Sequence, residues 1–183
     1  MRNQSIASFA ALLIPFMLLL SYTLAIYSYN FNDEQATVIN YVQGKGELGD
    51  FTARESEHLS DVRRVMQKVD VLLGLLAVTI AVLGVYLSKK KELGKGLLWG
   101  GGIGVLLLFF FVVLSILDFN GLFNAFHHLF FAPGSWIFSS EDKLIQLFPL
   151  EFFVNITKRI LIIGGLMNLG AIIAGLVVTR YKS

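Results

Sequence analysis

The 183-residue chain contains no cysteine, which excludes disulfides, thiolate metal sites, a lipid-modified cysteine and a cysteine acyl-enzyme together. Charge is scarce as well, at 15% of residues and a formal net charge of +2. So small an excess gives no electrostatic footprint for nucleic acid, and what matters is where along the chain the basic residues fall. No HExxH or H-x-E arrangement, G-x-S-x-G elbow or phosphate loop occurs, so the familiar metal, serine-nucleophile and nucleotide signatures are missing. In their place 55% of side chains are hydrophobic and the mean hydropathy is +0.68. These values lie outside the range of a soluble domain and identify an integral membrane protein.

Four charge-free apolar runs are long enough to cross a bilayer as helices of about 20 residues. The first centres on "FAALLIPFMLLLSYTLAIY" and spans roughly residues 6–27. Its apolar length exceeds a signal-peptide core, so it is expected to be an uncleaved signal anchor. The others are "VLLGLLAVTIAVLGVYLS" (71–88), "GLLWGGGIGVLLLFFFVVLSIL" (96–117) and "ILIIGGLMNLGAIIAGLVVT" (160–179). The linker "KKKELGK" between the second and third runs holds four lysines in seven residues, and short loops so rich in lysine stay in the cytoplasm. Both termini, which carry Arg2, Arg180 and Lys182, then fall on the same side. Two segments, about 28–70 and 118–159, lie outside and contain all the acidic residues except Glu92 and all the histidines.

The expected fold is an all-α polytopic membrane protein forming a single membrane domain over 1–183, with four transmembrane helices and two extracytoplasmic segments. In the first segment, "TARE" has the form of a capping box, with Thr52 as N-cap and Glu55 reaching back. Leu59, Val62, Met66 and Val69 follow at helical spacing, so this helix should run directly into the second span. The second segment is expected to be partly re-entrant or interfacial. A fifth span over Phe119–Ser140 is the rival reading, but Asn120, Asn124, His127, His128, Pro133 and Gly134 are costly to leave in lipid.

His58 and Asp61 share a helical face three residues apart, so Asp61 can orient the ring or favour its protonated form. A solvated polar face would look the same. His127 and His128 are adjacent, which on a helix points them about 100° apart, so only one can face a given site. His58, Asp61 and one of the paired histidines also offer zinc-type ligands, but their spacing matches no metal motif. Gly100 and Gly104 have the G-x-x-x-G spacing of close helix packing. The phenylalanines at 119, 123, 126, 130, 131, 138, 148, 152 and 153 read most simply as apolar surface against lipid and neighbouring helices.

The layout of four spans, "HLSDV" leading into the second, and "FHHLFF…W…DKLIQLFPLEFF" after the third resemble the bacterial lipoprotein intramolecular transacylase family over nearly the whole chain. The resemblance implies an acyltransferase of the cell membrane that takes a diacylglyceryl lipoprotein as substrate. Its sn-2 acyl chain would move to the α-amino group of the same N-terminal cysteine, giving a lyso-form lipoprotein. It also implies that His58 and His127 are the catalytic pair, with His128 in a variable position; Asp61, Asp142 and Trp136 are expected to support them. No cofactor, metal or nucleic acid is implied, and the partners are the lipoprotein and membrane lipid. Aminolysis of an ester needs a base, an acid and oxyanion donors but no protein nucleophile, so a chain without cysteine can perform it. Arg63, Arg64 and Lys143 are candidates for the oxyanion donors. The competing reading is a non-enzymatic accessory or sensor subunit that binds a partner or metal on its outer face. The two readings differ in whether His58 and His127 converge.

Overall fold

A computed structural model describes residues 2–181. Seven helices follow one another: α1 (Arg2–Tyr27), α2 (Asp33–Val42), α3 (Ala53–Lys89), α4 (Leu93–Leu117), α5 (Phe119–Phe130), α6 (Lys143–Leu147) and α7 (Leu150–Arg180), with no strand among the described residues. Four of them, α1, α3, α4 and α7, are long and apolar enough to cross a membrane. The chain is therefore a multi-pass membrane protein. Helix α3 has 37 residues and is about 55 Å long at 1.5 Å per residue, well beyond the roughly 30 Å of a hydrocarbon core. Its apolar stretch 71–88 suffices to span, and the polar residues of its first turns lie ahead of that stretch. The proposed fifth span is absent. Helix α5 has only 12 residues, about 18 Å, and ends in a turn at Ala132–Ser135.

The chain divides into two compact units: Met1–Tyr27 with Leu72–Val113 and Lys158–Ser183, and Ser28–Val71 with Leu114–Thr157. In the first, a cluster of Ile6, Phe9, Leu13, Met17, Leu87 and Ala171 forms the buried apolar centre. Helix α4 approaches its neighbours through glycines. A Cβ at Gly100 would lie 2.8 Å from Leu13 and 3.3 Å from the Cα of Ala10, and one at Gly101 would lie 2.8 Å from the carbonyl oxygen of Asn168. Small residues allow such contact, which drives helix association where lipid removes the hydrophobic effect between helices. Val71, Leu75, Val78, Val82 and Val85 of α3 are exposed along one side, as a lipid-facing helix requires.

The second unit is held by polar clamps. Asn32 and Gln35 form a reciprocal capping box at the start of α2, and the Gln35 side-chain amide donates to the Leu147 carbonyl at 2.7 Å. At the other end of α6, Glu55 Oε1 accepts from the Leu144 N–H at 2.8 Å. Both ends of this five-residue helix are thus satisfied by side chains from other segments, which a helix too short to be stable alone requires. Tyr29, Phe31, Phe148, Phe152 and Phe153 stack beside it, with ring centroids 4.9–6.2 Å apart.

Candidate active site

The site begins with the first turn of α3. The Thr52 N–H and hydroxyl both donate to Glu55 Oε2, at 2.9 and 2.7 Å, and the Glu55 N–H donates to the Thr52 hydroxyl at 3.3 Å. This is the capping box expected from "TARE". Its glutamate is 1% exposed and spends its second oxygen on Leu144. Burial pushes the Glu55 carboxyl up, but hydrogen bonds from Leu144 and Thr52 outweigh it and hold the group below its ordinary value. The neighbouring Arg54 donates to the carbonyls of Gly134, at 3.1 Å, and Ile137, and lies 5.1 Å over the Phe138 ring. Asp142 accepts from the Ser139 N–H at 2.5 Å, closing the turn before α6. The turn and short helix after α5 are therefore fastened to the residues one helical turn before His58 on the same face.

Helix α5 brings the second histidine. Asp118 caps its start by accepting from the Gly121 N–H at 2.8 Å. His127 is buried in its last turn, whereas His128 is exposed and meets Trp136 edge-on at 5.4 Å. The rings of His58 and His127 lie 6.4 Å apart, within 23° of parallel, and each is 8% exposed. Aromatic rings enclose them. Phe131 is 5.0 Å from His58 and 5.5 Å from His127, Phe138 is 5.5 Å from His58, and Phe123 and Trp136 are 4.1 and 4.7 Å from His127. Part of the phenylalanine-rich stretch thus forms the walls of a polar site.

His127 Nδ1 is 2.8 Å from the Phe123 carbonyl oxygen. A carbonyl only accepts, so Nδ1 carries the hydrogen and the neutral ring keeps its lone pair on Nε2. His58 Nδ1 and Trp136 Nε1 are buried without a hydrogen-bond partner. Burial, followed by the charge of His127, lowers His58 to about 4, against a smaller opposing effect of Asp61. Burial also lowers His127, with the Phe123 carbonyl opposing and His128 adding to the fall. Both rings are neutral near pH 7, and His127 has the partner that favours its protonated form.

The remaining expected residues divide. Trp136 adjoins the pair, while Asp142 shapes the turn before α6. Asp61 forms an ion pair with Arg64 and reaches His58 through its charge. The three cations expected as oxyanion donors are engaged elsewhere: Arg64 with Asp61, Arg63 over Tyr41 at 5.0 Å, and Lys143 over Phe51 at 4.9 Å and on the Asp50 carbonyl at 3.4 Å. No three His, Asp or Glu side chains converge as metal ligands among the described residues. Sequence reasoning missed Arg54, the second bond of Glu55, and helix α2. Only α2 carries a local signal, the Asn32-x-x-Gln35 capping box.

A family model for the lipoprotein intramolecular transacylase Lit matches residues 22–153. An uncharacterized protein of Aquifex aeolicus is 29% identical over 131 residues, which cover 72% of this chain and 59% of that protein. The chain thus spans about three fifths of the length of the curated relative it matches. The in meso structure of the membrane integral lipoprotein intramolecular transacylase Lit from Bacillus cereus superposes with a TM-score of 0.83 at 22% identity, covering 99% of this chain and 95% of that one. A variant of the Bacillus cereus protein with a histidine replaced by alanine gives the same TM-score at 20% identity, over 100% and 95% of the two chains. The shared fold extends over essentially the whole molecule.

Proposed function

The chain belongs to the lipoprotein intramolecular transacylase (Lit) family, and from that membership and its paired histidines we propose that it moves an acyl chain from oxygen to nitrogen within one lipoprotein. The substrate is a diacylglyceryl lipoprotein, and the sn-2 acyl group passes to the α-amino group of the N-terminal cysteine. The observation that carries this reading is the meeting of two buried, neutral imidazoles from separate segments, 6.4 Å apart in an aromatic enclosure. A solvated polar face would have left His58 in water.

The proton inventory assigns the two rings different tasks. An ammonium that becomes an amide loses two protons, and the departing glyceryl oxygen takes up one. His127 Nε2 accepts the first, its imidazolium favoured by the Phe123 carbonyl. The free amine attacks the ester carbonyl carbon, forming the C–N bond and a tetrahedral oxyanion. His58, neutral because its pKa lies near 4, takes the second proton from the now positive nitrogen. As the C–O bond breaks, His127 returns its proton to the sn-2 oxygen, and His58 sheds its own to water. Ester and ammonium become amide, alcohol and one released proton. The ammonium, near 7.7–8.0 when unperturbed, lies above the lowered His127, so the first transfer runs uphill and is drawn forward as the free amine attacks. Tethering both reactants in one molecule supplies much of the acceleration.

The lysines at 89–91 and 95 favour an orientation with both termini cytoplasmic and the histidines at the outer face, where a lipoprotein ester lies at the membrane interface. The deciding experiment incubates purified protein with a diacylglyceryl lipopeptide in detergent without added phospholipid. The mass stays constant, tandem mass spectrometry finds one acyl chain on nitrogen, and about one proton is released per turnover well below the amine pKa. A gain of one acyl mass, or label transferred from phospholipid, contradicts intramolecular transfer.

A further inference from the structure

We infer that the indole N–H of Trp136 is the donor that holds the ester carbonyl oxygen as it becomes an oxyanion, an inference that rests on the transacylase reading. Attack on an ester builds negative charge on that oxygen, and preorganised donors aimed at it supply the largest single share of catalysis in acyl transfer. The charged groups nearby are committed. Arg64 and Asp61 neutralise each other, Arg63 and Lys143 lie over Tyr41 and Phe51, and the Arg54 guanidinium serves two backbone carbonyls. His127 Nδ1–H is spent on Phe123.

The buried nitrogens left without a partner beside His127 are that of His58, whose ring the transacylase reading uses for proton transfer, and that of Trp136. The Trp136 ring lies 4.7 Å from that of His127. An indole N–H only donates, and leaving one unmet in an apolar enclosure is costly. Such a group beside a reacting histidine fits an acceptor that arrives with the ligand, and an ester carbonyl offers acceptors only. The bond would strengthen as charge develops on the oxygen, and the walls of Phe123 and Phe131 keep the local dielectric low.

The backbone around Trp136 is also fixed. Gly134 adopts φ +80°, a left-handed conformation suited to glycine. The Ser135 N–H and hydroxyl both donate to the Ala132 carbonyl, at 3.1 and 2.9 Å. Arg54 then grips the carbonyls of Gly134 and Ile137, which flank the tryptophan. Arg54 is accordingly a positioning residue, tying the donor to the same helical turn that presents His58.

The test replaces Trp136 in the full-length protein with 3-benzothienylalanine, which exchanges the N–H for sulfur and keeps the shape. With the diacylglyceryl lipopeptide, kcat should fall about 100- to 1,000-fold while KM and the thermal midpoint stay near wild type. Trp136→Phe should lose at least as much. An isostere as fast as wild type, or one that raises KM with kcat unchanged, overturns this inference alone. Wild-type protein that leaves the lipopeptide untouched overturns the transacylase reading and this inference with it.

Discussion

The two units solve the problem of buried polar groups in opposite ways. In the first, hydroxyls and amides close on their own helix. Ser21 donates to the Leu18 carbonyl, Thr179 to Gly175 and Asn168 to Gly164, all at 2.7 Å, and cohesion comes from glycines that let helices touch. In the second, the bonds join distant parts of the chain: Gln35 to Leu147, Arg54 to Gly134 and Ile137, and Glu55 to Leu144. The first unit leaves the Asn168 Oδ1 buried without a partner, whereas the second leaves an imidazole nitrogen and an indole N–H unpartnered beside a second imidazole. Self-contained helices suit a medium that offers no hydrogen bonds. Cross-linked segments fix side chains from different parts of the chain in one geometry, which proton transfer requires.

The sharpest way to break this contrast is to remove the histidines. His58→Ala and His127→Ala should each lower turnover by 100- to 10,000-fold, the range for a lost acid or base. His128→Ala, on the exposed side of α5, should stay within a few-fold of wild type. Rates of acyl transfer on lipopeptide, with expression and detergent stability controlled, decide it. An inactive His128→Ala beside an active His127→Ala would reverse the assignment.

The same burial should make the second unit acid-sensitive. His58 is held near 4 in the folded protein and titrates near 6.5 when unfolded. The unfolded chain therefore binds the extra proton first, so stability is intact above about pH 6.5 and declines as pH falls toward 4. The full gap corresponds to on the order of 3 kcal/mol, and His127, also lowered, acts in the same direction. The apparent Tm in detergent should drop between pH 7 and pH 5, and drop less in His58→Phe. Equal slopes for the two proteins would mean that His58 is not held neutral by the fold.

Cutting a clamp tests the cross-links directly. Glu55→Ala leaves the Leu144 N–H and the Thr52 cap without an acceptor and should cost about 1–3 kcal/mol. Activity should fall further than stability alone explains, because α6 and the turn before it lose their hold on α3. Glu55→Gln keeps an acceptor for one of the two partners and should lie between. If the alanine variant unfolds and turns over like wild type, the Leu144 bond does not organise the site.

The spans and the α3 capping box were legible because each is written in local pattern, whereas the pairing of His58 with His127 was implied by the family resemblance and local pattern alone fitted a solvated polar face equally well. Apolar runs of span length need no partner to be recognised, and Thr52 and Glu55 meet across one helical turn. The clamps were not legible. Arg54 and its carbonyls are separated by 80 and 83 residues and Glu55 and Leu144 by 89, and nothing in "TARE" indicates where a second carboxylate oxygen or a guanidinium will find its partner. The phenylalanines posed the same difficulty. Their number announces burial, but which of them surround His58 depends on how the turn after α5 folds back.

The smallest expected effect isolates the other half of the comparison, that the first unit is held by missing side chains. Gly101 and Gly102 are adjacent on α4, share a sequence context and differ in what surrounds them. A Cβ on Gly101 would meet the Asn168 carbonyl oxygen at 2.8 Å and Ile172 at 2.9 Å, whereas one on Gly102 finds nothing within 4 Å. Backbone cannot swing aside as a flexible side chain can, so Gly101→Ala must part α4 from α7 and should cost about 1–3 kcal/mol, as overpacking does. Gly102→Ala gains the helix propensity of alanine over glycine, about 1 kcal/mol in water and less in lipid, with no clash to oppose it. Apparent Tm values in one detergent should therefore move in opposite directions for neighbouring glycines, and the paired design cancels any effect of glycine content alone. If both substitutions stabilise, α4 and α7 do not rely on the close approach at Gly101, and the account of the first unit as a glycine-packed bundle fails at one of its close backbone contacts.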